Sequence, residues 1–77
     1  MRKEGLVLSN SVRFAVFKVL CEGKDLQTFI KKSRIPLSKA LREVDFLEKN
    51  GLIKKEGEKY IPTKEGLKVY EIIKQGV

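Results

Sequence analysis

The chain of 77 residues has no histidine, no tryptophan and a single cysteine, Cys21. Without histidine, neither a Ser-His-Asp nor a Cys-His nucleophile arrangement can be built. One thiol forms no disulfide within the chain, and it falls short of the three or four ligands that thiolate and imidazole zinc sites use. Long apolar runs are also missing. Nothing approaches the roughly 18 residues that a bilayer span requires, and the apolar run after the basic start Met1-Arg2-Lys3 is too short for a signal peptide. These absences predict a cytoplasmic protein with no membrane partner, no metal and no cofactor. They also argue against an enzyme. Catalysis would have to rest on Lys, carboxylates or Tyr, and nothing in the sequence clusters them. A binding module is the expected class.

What the chain does have is positive charge. Seventeen Lys and Arg face ten Asp and Glu, a formal net charge of +7. That excess points to an anionic partner, nucleic acid before membrane surface. Apolar residues at 42% and charged residues at 35% fit a globular chain and exclude a disordered tail. A Lys/Glu-rich solvated surface accounts for part of the charge but not for where the cations sit. A domain of fewer than about 80 residues also buries only a modest core, and small domains without disulfides or metals often add to it by oligomerising.

Residues 1–77 read as one domain, opening with a lead-in over 1–8. Ser9-Asn10-Ser11 supplies helix N-cap candidates, Val12 to Glu22 reads as a helix, and Gly23 ends it. Val12, Val16, Val19 and Leu20 form one apolar face of this helix, while Phe14, Phe17 and Cys21 form another nearly opposite. A helix apolar on two sides needs cover on two sides. The C-terminal helix or a second subunit would supply it, so a homodimer is expected through Phe14, Phe17, Cys21, Tyr70 and Ile73. In its simplest reading Cys21 is a small buried hydrophobe.

A helix-turn-helix follows over 25–50. Asp25 caps a short helix from Leu26 to Lys32, and Pro36 opens a longer one that Asn50-Gly51 stops. The second of these places Leu37, Ala40, Leu41, Val44 and Leu47 inward and leaves Phe46 on its polar side without a clear role. Leu52-Ile53-Lys54-Lys55 and Lys59-Tyr60-Ile61-Pro62, joined through Gly57, form a hairpin wing over 52–62. A two- or three-residue strand near Lys24 could pair with it. Thr63 caps the last helix, over 63–75. The order helix-helix-helix-hairpin-helix predicts a mainly α fold with a small β-hairpin, the winged helix-turn-helix.

The cations are not spread evenly. From Leu26 through Arg42 there is no acidic residue, yet Lys31, Lys32, Arg34, Lys39 and Arg42 all occur there. That stretch covers the first helix, the turn and the start of the second helix, the elements that lie nearest phosphates when a helix enters a major groove. Ser38, Lys39 and Arg42 are the expected base-edge candidates. Arg42 is suited to bidentate pairing with guanine. Lys31, Lys32 and Arg34 would hold phosphates, and Lys54, Lys55 and Lys59 would do so from the wing. Double-stranded DNA is the expected partner.

Three segments also resemble a known family. Leu8-Ser9-Asn10-Ser11-Val12-Arg13-Phe14-Ala15-Val16-Phe17-Lys18-Val19-Leu20 is similar to the opening helix of ArsR-type winged-helix repressors, which often read L-x-D-P-x-R-x-x-I-L-x-x-L. Leu41-Arg42-Glu43-Val44-Asp45-Phe46-Leu47-Glu48-Lys49-Asn50-Gly51-Leu52-Ile53 resembles their L-x-x-L-x-x-x-G-L-[IV] run into the wing. Pro62-Thr63-Lys64-Glu65-Gly66 is similar to the L-T-x-x-G of MarR-type relatives. The resemblance spans nearly the whole chain and implies a homodimeric transcription regulator on a partly palindromic site, with Ser38, Lys39 and Arg42 at exposed recognition-helix positions. Metal-sensing members carry paired cysteines where this chain has Gly23-Lys24-Asp25-Leu26, so metal sensing is not implied. Pro36 and Leu37 stand where the family more often has polar residues. The rival reading is a winged helix that serves as a protein-interaction module in a larger assembly. Binding of single strands, which uses exposed aromatics, has only Phe46 to offer.

Overall fold

The computed structural model describes residues 3–76; Met1, Arg2 and Val77 lie outside the described residues. The chain is mainly helical with one two-stranded antiparallel hairpin. In order it runs α1 (Lys3–Leu8), α2 (Ser11–Cys21), α3 (Leu26–Ser33), α4 (Leu37–Lys49), β1 (Ile53–Glu56), β2 (Lys59–Pro62) and α5 (Lys64–Gly76).

The helix ends follow from side-chain and glycine chemistry. Asn10 caps α2 by accepting from the Arg13 amide at 3.1 Å, and Asp25 caps α3 by accepting from the Thr28 amide at 3.3 Å and hydroxyl at 2.6 Å. The Thr63 hydroxyl accepts from the Gly66 amide at 3.0 Å and donates to the Gly51 carbonyl at 2.6 Å. It therefore caps α5 and ties it to the end of α4 at once. At the other ends, α2 and α4 finish in the same motif. Gly23 (φ 72°) and Gly51 (φ 75°) take the left-handed conformation, and the amides of Lys24 and Leu52 reach back to the Val19 and Leu47 carbonyls at 3.0 Å. In α4 that turn also brings Leu47 and Leu52, both fully buried, into one core.

Helix α2 is the centre of the molecule. Its Val16, Phe17, Val19 and Leu20 are buried, and α1, α3, α4, α5 and β2 all pack on it. Val7 comes in from α1, Ile30 from α3, Ala40, Val44 and Leu47 from α4, Ile53 from β1, and Val69 and Ile73 from α5. The Phe17 ring meets Tyr70 edge-on, centroids 6.3 Å apart and planes at 80°. Gly66 lets α5 lie directly on the Leu52 backbone, since a methyl group there would overlap the Leu52 carbonyl.

Four expectations are corrected. The lead-in over 1–8 contains helix α1, held by Val7 in the core and by Lys3, whose ammonium donates to the Asn50 carbonyl and pairs with Glu65, both at 2.7 Å. The order is thus four helices, a hairpin and a helix. Among the described residues no strand forms near Lys24, and the sheet has two strands only. Leu37 and Leu41, expected inward, are 59% and 52% exposed. Phe17 and Ile73, expected at a subunit interface, are buried in the chain's own core at 0% and 5% exposure. The single chain covers both faces of α2 because five elements surround it.

Candidate nucleic-acid interface

The acid-free stretch maps onto α3, the turn 34–36 and the first two turns of α4. Lys31, Lys32, Arg34, Ser38, Lys39 and Arg42 are all exposed, and among the described residues none of those five cations takes part in an ion pair. Arg34 ends α3 in the left-handed conformation, φ 56° and ψ 30°, where glycine is the usual residue. A non-glycine residue there costs about 1–2 kcal/mol.

Lys39 and Arg42 come together. With Asn10, Ser11, Val12 and Glu43 they line a shallow groove of about 410 Å³ between the start of α2 and the outer side of α4. Lys32 lies elsewhere. It lines a second groove of about 630 Å³ between α2 and α3, whose floor includes Phe14 and Phe29 and whose rim carries Lys18 and Lys24. The cations of α3, the turn and α4 therefore spread over more than one surface, and of them Lys39 and Arg42 share a groove. Helix α4 also differs from α2, α3 and α5 at its start. Pro36 provides no side-chain cap, and the Lys39 and Ala40 amides bond back to its carbonyl at 3.0 and 3.1 Å, which leaves the Leu37 and Ser38 amides as the uncapped donors of α4.

The hairpin lysines divide by face. In the register Ile53↔Pro62, Lys54↔Ile61, Lys55↔Tyr60, Glu56↔Lys59, alternate positions share a side. Lys54 and Lys59 thus share one face with Glu56, which lies 3.9 Å from the Lys54 ammonium. Lys55 lies on the other face, its ammonium 6.0 Å from the Tyr60 ring centre. Asp25 is held below the usual carboxylate range, first by the Thr28 hydroxyl and also by nearby Lys59.

Beneath this surface lies a group of residues that sequence patterning passed over. Arg13 donates from Nε to Glu43 Oε1 at 2.8 Å and from Nη1 to the Leu6 carbonyl at 2.7 Å, and its guanidinium stacks 3.6 Å from the centre of the Phe46 ring. Asn10 Nδ2 donates to the other Glu43 oxygen at 3.4 Å. The Arg13 and Glu43 side chains are only 14% and 10% exposed. The pair joins α1, the cap of α2 and the middle of α4, and so sets how α4 is turned. Phe46 has its role here, as the platform for Arg13. The available signal was a lone Arg and a lone Glu, each within an otherwise apolar helix face.

On the far side of α2, Cys21 and Tyr70 are half-buried and pack against the core, as does Phe14 beside the second groove. Tyr70 donates to Glu22 at 2.7 Å. Burial, reinforced by the Glu22 charge, pushes the Cys21 thiol up to about 12. The hydrogen bond to Glu22, then burial, raises the Tyr70 phenol to about 12. A thiol so poorly ionised is a weak nucleophile at neutral pH. Among the described residues, no helix is long and apolar enough to cross a membrane.

No family model, curated protein or solved structure matches the chain.

Proposed function

We propose that this chain is a sequence-specific, double-stranded-DNA-binding transcription regulator of the winged helix-turn-helix type, with α4 entering the major groove and no catalytic step. The observation that carries the reading is the run of exposed cations without acidic partners, Lys31, Lys32, Arg34, Lys39 and Arg42, confined to α3, the turn and the start of α4. An unpaired cation can replace condensed counterions at a phosphate, and releasing those ions is the main source of affinity for a duplex. Arg34 adds support, because a strained conformation retained at a charged residue is the kind of cost found at functional positions. So do the uncapped amides of α4, since backbone donors at a helix start suit a phosphate oxygen. The resemblance to ArsR-type repressors points the same way.

Ser38, Lys39 and Arg42 are the base-edge candidates, Lys31, Lys32 and Arg34 the phosphate contacts. Lys55 is the wing cation best placed to help, because Glu56 offsets Lys54 and Lys59. A homodimer belongs to the same proposal. Its apolar surface would come from Leu8, Leu67 and Ile72, exposed on α1 and α5, in place of Phe17 and Ile73.

A salt titration of duplex binding tests the reading. The logarithm of affinity should fall linearly with the logarithm of salt concentration, with a slope of roughly −0.9 per phosphate neutralised. Arg42→Ala should flatten preference among sites, whereas Lys31→Ala should weaken all sites alike. Absence of saturable duplex binding at low salt would overturn the proposal in favour of a protein-interaction module.

A further inference from the structure

The groove between α2 and α3 joins two features that a duplex would not use together. Its floor is apolar, with Phe14, Ala15 and Val19 from α2 and Phe29 from α3. Both phenylalanines are half-buried, packed against the core while lining the groove. The first groove has only Val12 as an apolar residue. Around the floor the charges do not balance. Lys18, Lys24 and Lys32 are set against Glu22 and Asp25, three ammoniums to two carboxylates. Both carboxylates are already engaged. Glu22 accepts from Tyr70 at 2.7 Å and pairs with Lys24 at 3.1 Å, and Asp25 accepts from the Thr28 amide and hydroxyl. Lys18 helps hold the Glu22 carboxyl below the usual range, after the Tyr70 and Lys24 hydrogen bonds, but lies beyond ion-pair distance. Among the described residues, Lys18 and Lys32, one from each helix, enter no ion pair.

We propose that this groove binds a small monoanion, an apolar body bearing one carboxylate, and that its occupancy weakens duplex binding. The class follows from the lining. An uncharged apolar molecule would cover the rings and leave the extra positive charge unanswered. A phosphate would answer the charge and leave the rings in water. One carboxylate on an apolar body does both, with Lys18 and Lys32 as the ammoniums that have no fixed partner. The volume, about 630 Å³, lies within the range of about 300–1,000 Å³ common to small-molecule pockets. The effect on DNA rests on the DNA-binding reading above, whereas the binding of the anion does not. Helix α3 is anchored by one buried residue, Ile30, so its seat on α2 depends on half-buried contacts that an occupant would share. Lys32 would hold a phosphate and also lines the groove, so the two anions compete for one ammonium. Linkage then requires the duplex to weaken anion binding by the same factor.

The probe is naphthoate, titrated into the isotope-labelled full chain with amide shifts read by nuclear magnetic resonance, beside naphthylmethanol as its uncharged counterpart. Naphthoate should saturate with a dissociation constant of about 1 mM or tighter, and the shifts should centre on Ala15, Val19, Thr28 and Phe29. The alcohol should bind about two- to fivefold more weakly, the worth of an exposed charge contact. Lys18→Gln and Lys32→Gln should each narrow that difference, and the double variant should erase it. All three should keep the far-ultraviolet circular dichroism of the parent, since both positions are exposed. Saturating naphthoate should also weaken binding of a duplex selected from a random pool several-fold, with a salt slope less steep by roughly 0.9, one phosphate contact. Lys18→Gln should keep the parent's duplex affinity without naphthoate and lose part of the naphthoate effect. Equal affinity for naphthoate and the alcohol overturns the inference, as do shifts centred on Lys39 and Arg42. Groove shifts that grow with protein concentration in the absence of naphthoate place a second copy of the chain there, and the inference fails. Saturation of the groove with duplex affinity unchanged overturns the effect on DNA. No saturable binding to any duplex overturns the DNA-binding reading, while the anion site stands or falls on the shifts alone.

Discussion

The two sides of α4 exchange the residue types expected of them. Its inner side carries Glu43, 8% exposed and bonded to Arg13, while its outer side carries Leu37 and Leu41, more than half exposed. On a helical wheel the apolar arc of α4 is centred near Val44, and the core takes Ala40, Glu43, Val44 and Leu47. The buried side is shifted from the apolar centre toward Glu43, which leaves Leu37 and Leu41 at the exposed edge. A reason is visible at Arg13, whose guanidinium would be stranded in a poorly solvated place without Glu43, and a buried unpaired charge costs more than two exposed leucines lose. Amphipathicity alone thus misplaces a helix when one buried ion pair outweighs it.

Breaking the inner side should have the largest effect. Glu43→Ala leaves Arg13 with the Leu6 carbonyl and the Phe46 ring but no counter-charge, and should lower unfolding free energy by about 3–5 kcal/mol in urea melts. The double change Arg13→Met with Glu43→Leu should recover most of that loss. If the single change costs less than about 1 kcal/mol, the ion pair does not set the rotation of α4.

Leucine truncation on the two sides measures the same contrast directly. Leu47→Ala, at a fully buried position, should cost about 2–5 kcal/mol. Leu37→Ala and Leu41→Ala should each stay within about 0.5 kcal/mol of the parent. Equal costs on both sides would mean that the outer leucines are covered in solution.

At the entry to α4, Arg34→Gly should raise stability by about 1 kcal/mol by relieving the left-handed turn, while weakening duplex binding through loss of a cation. A gain in stability without a loss in binding would remove Arg34 from the interface.

The smallest effect belongs to the opposite side of α2 and serves as a control. Cys21 and Tyr70 are neutral when protonated, and the fold raises both above their ordinary values of 9.0 and 10.0. Stability they contribute is fully present below about pH 9 and is lost as pH climbs toward 12. Alkaline melts should show that decline in the parent. Tyr70→Phe should reduce it, and the contrast between the two sides of α4 should be the same at pH 7 and pH 9.

Much of the fold was legible because its signals are local. Asp25 and Thr63 cap where their side chains can reach the next turn, Gly23 and Gly51 stop helices where a positive φ is required, and Gly57 turns the hairpin. Helix α1 was not legible. Six residues make too few turns to hold a helix alone, and α1 exists through the docking of Val7 and the Lys3 contacts to Asn50 and Glu65, 47 and 62 residues away. The cations of the candidate interface could be seen in sequence, but their grouping could not. Lys39 and Arg42 share a groove and Lys32 faces another, a division that depends on how α3 and α4 are set on α2.

The order of residues by itself determined where helices start and stop, which apolar side chains were available for a core, and that positive charge gathers without acids between Leu26 and Arg42. Those are properties of neighbours a few positions apart, settled by hydrogen-bond reach and backbone sterics. Only the tertiary structure decided that Phe17 and Ile73 serve the chain's own core, that Glu43 turns inward and that Leu37 and Leu41 face out. Which side of a helix is buried depends on what the elements packed on it bring, and the partner that decided α4, Arg13, stands thirty residues away.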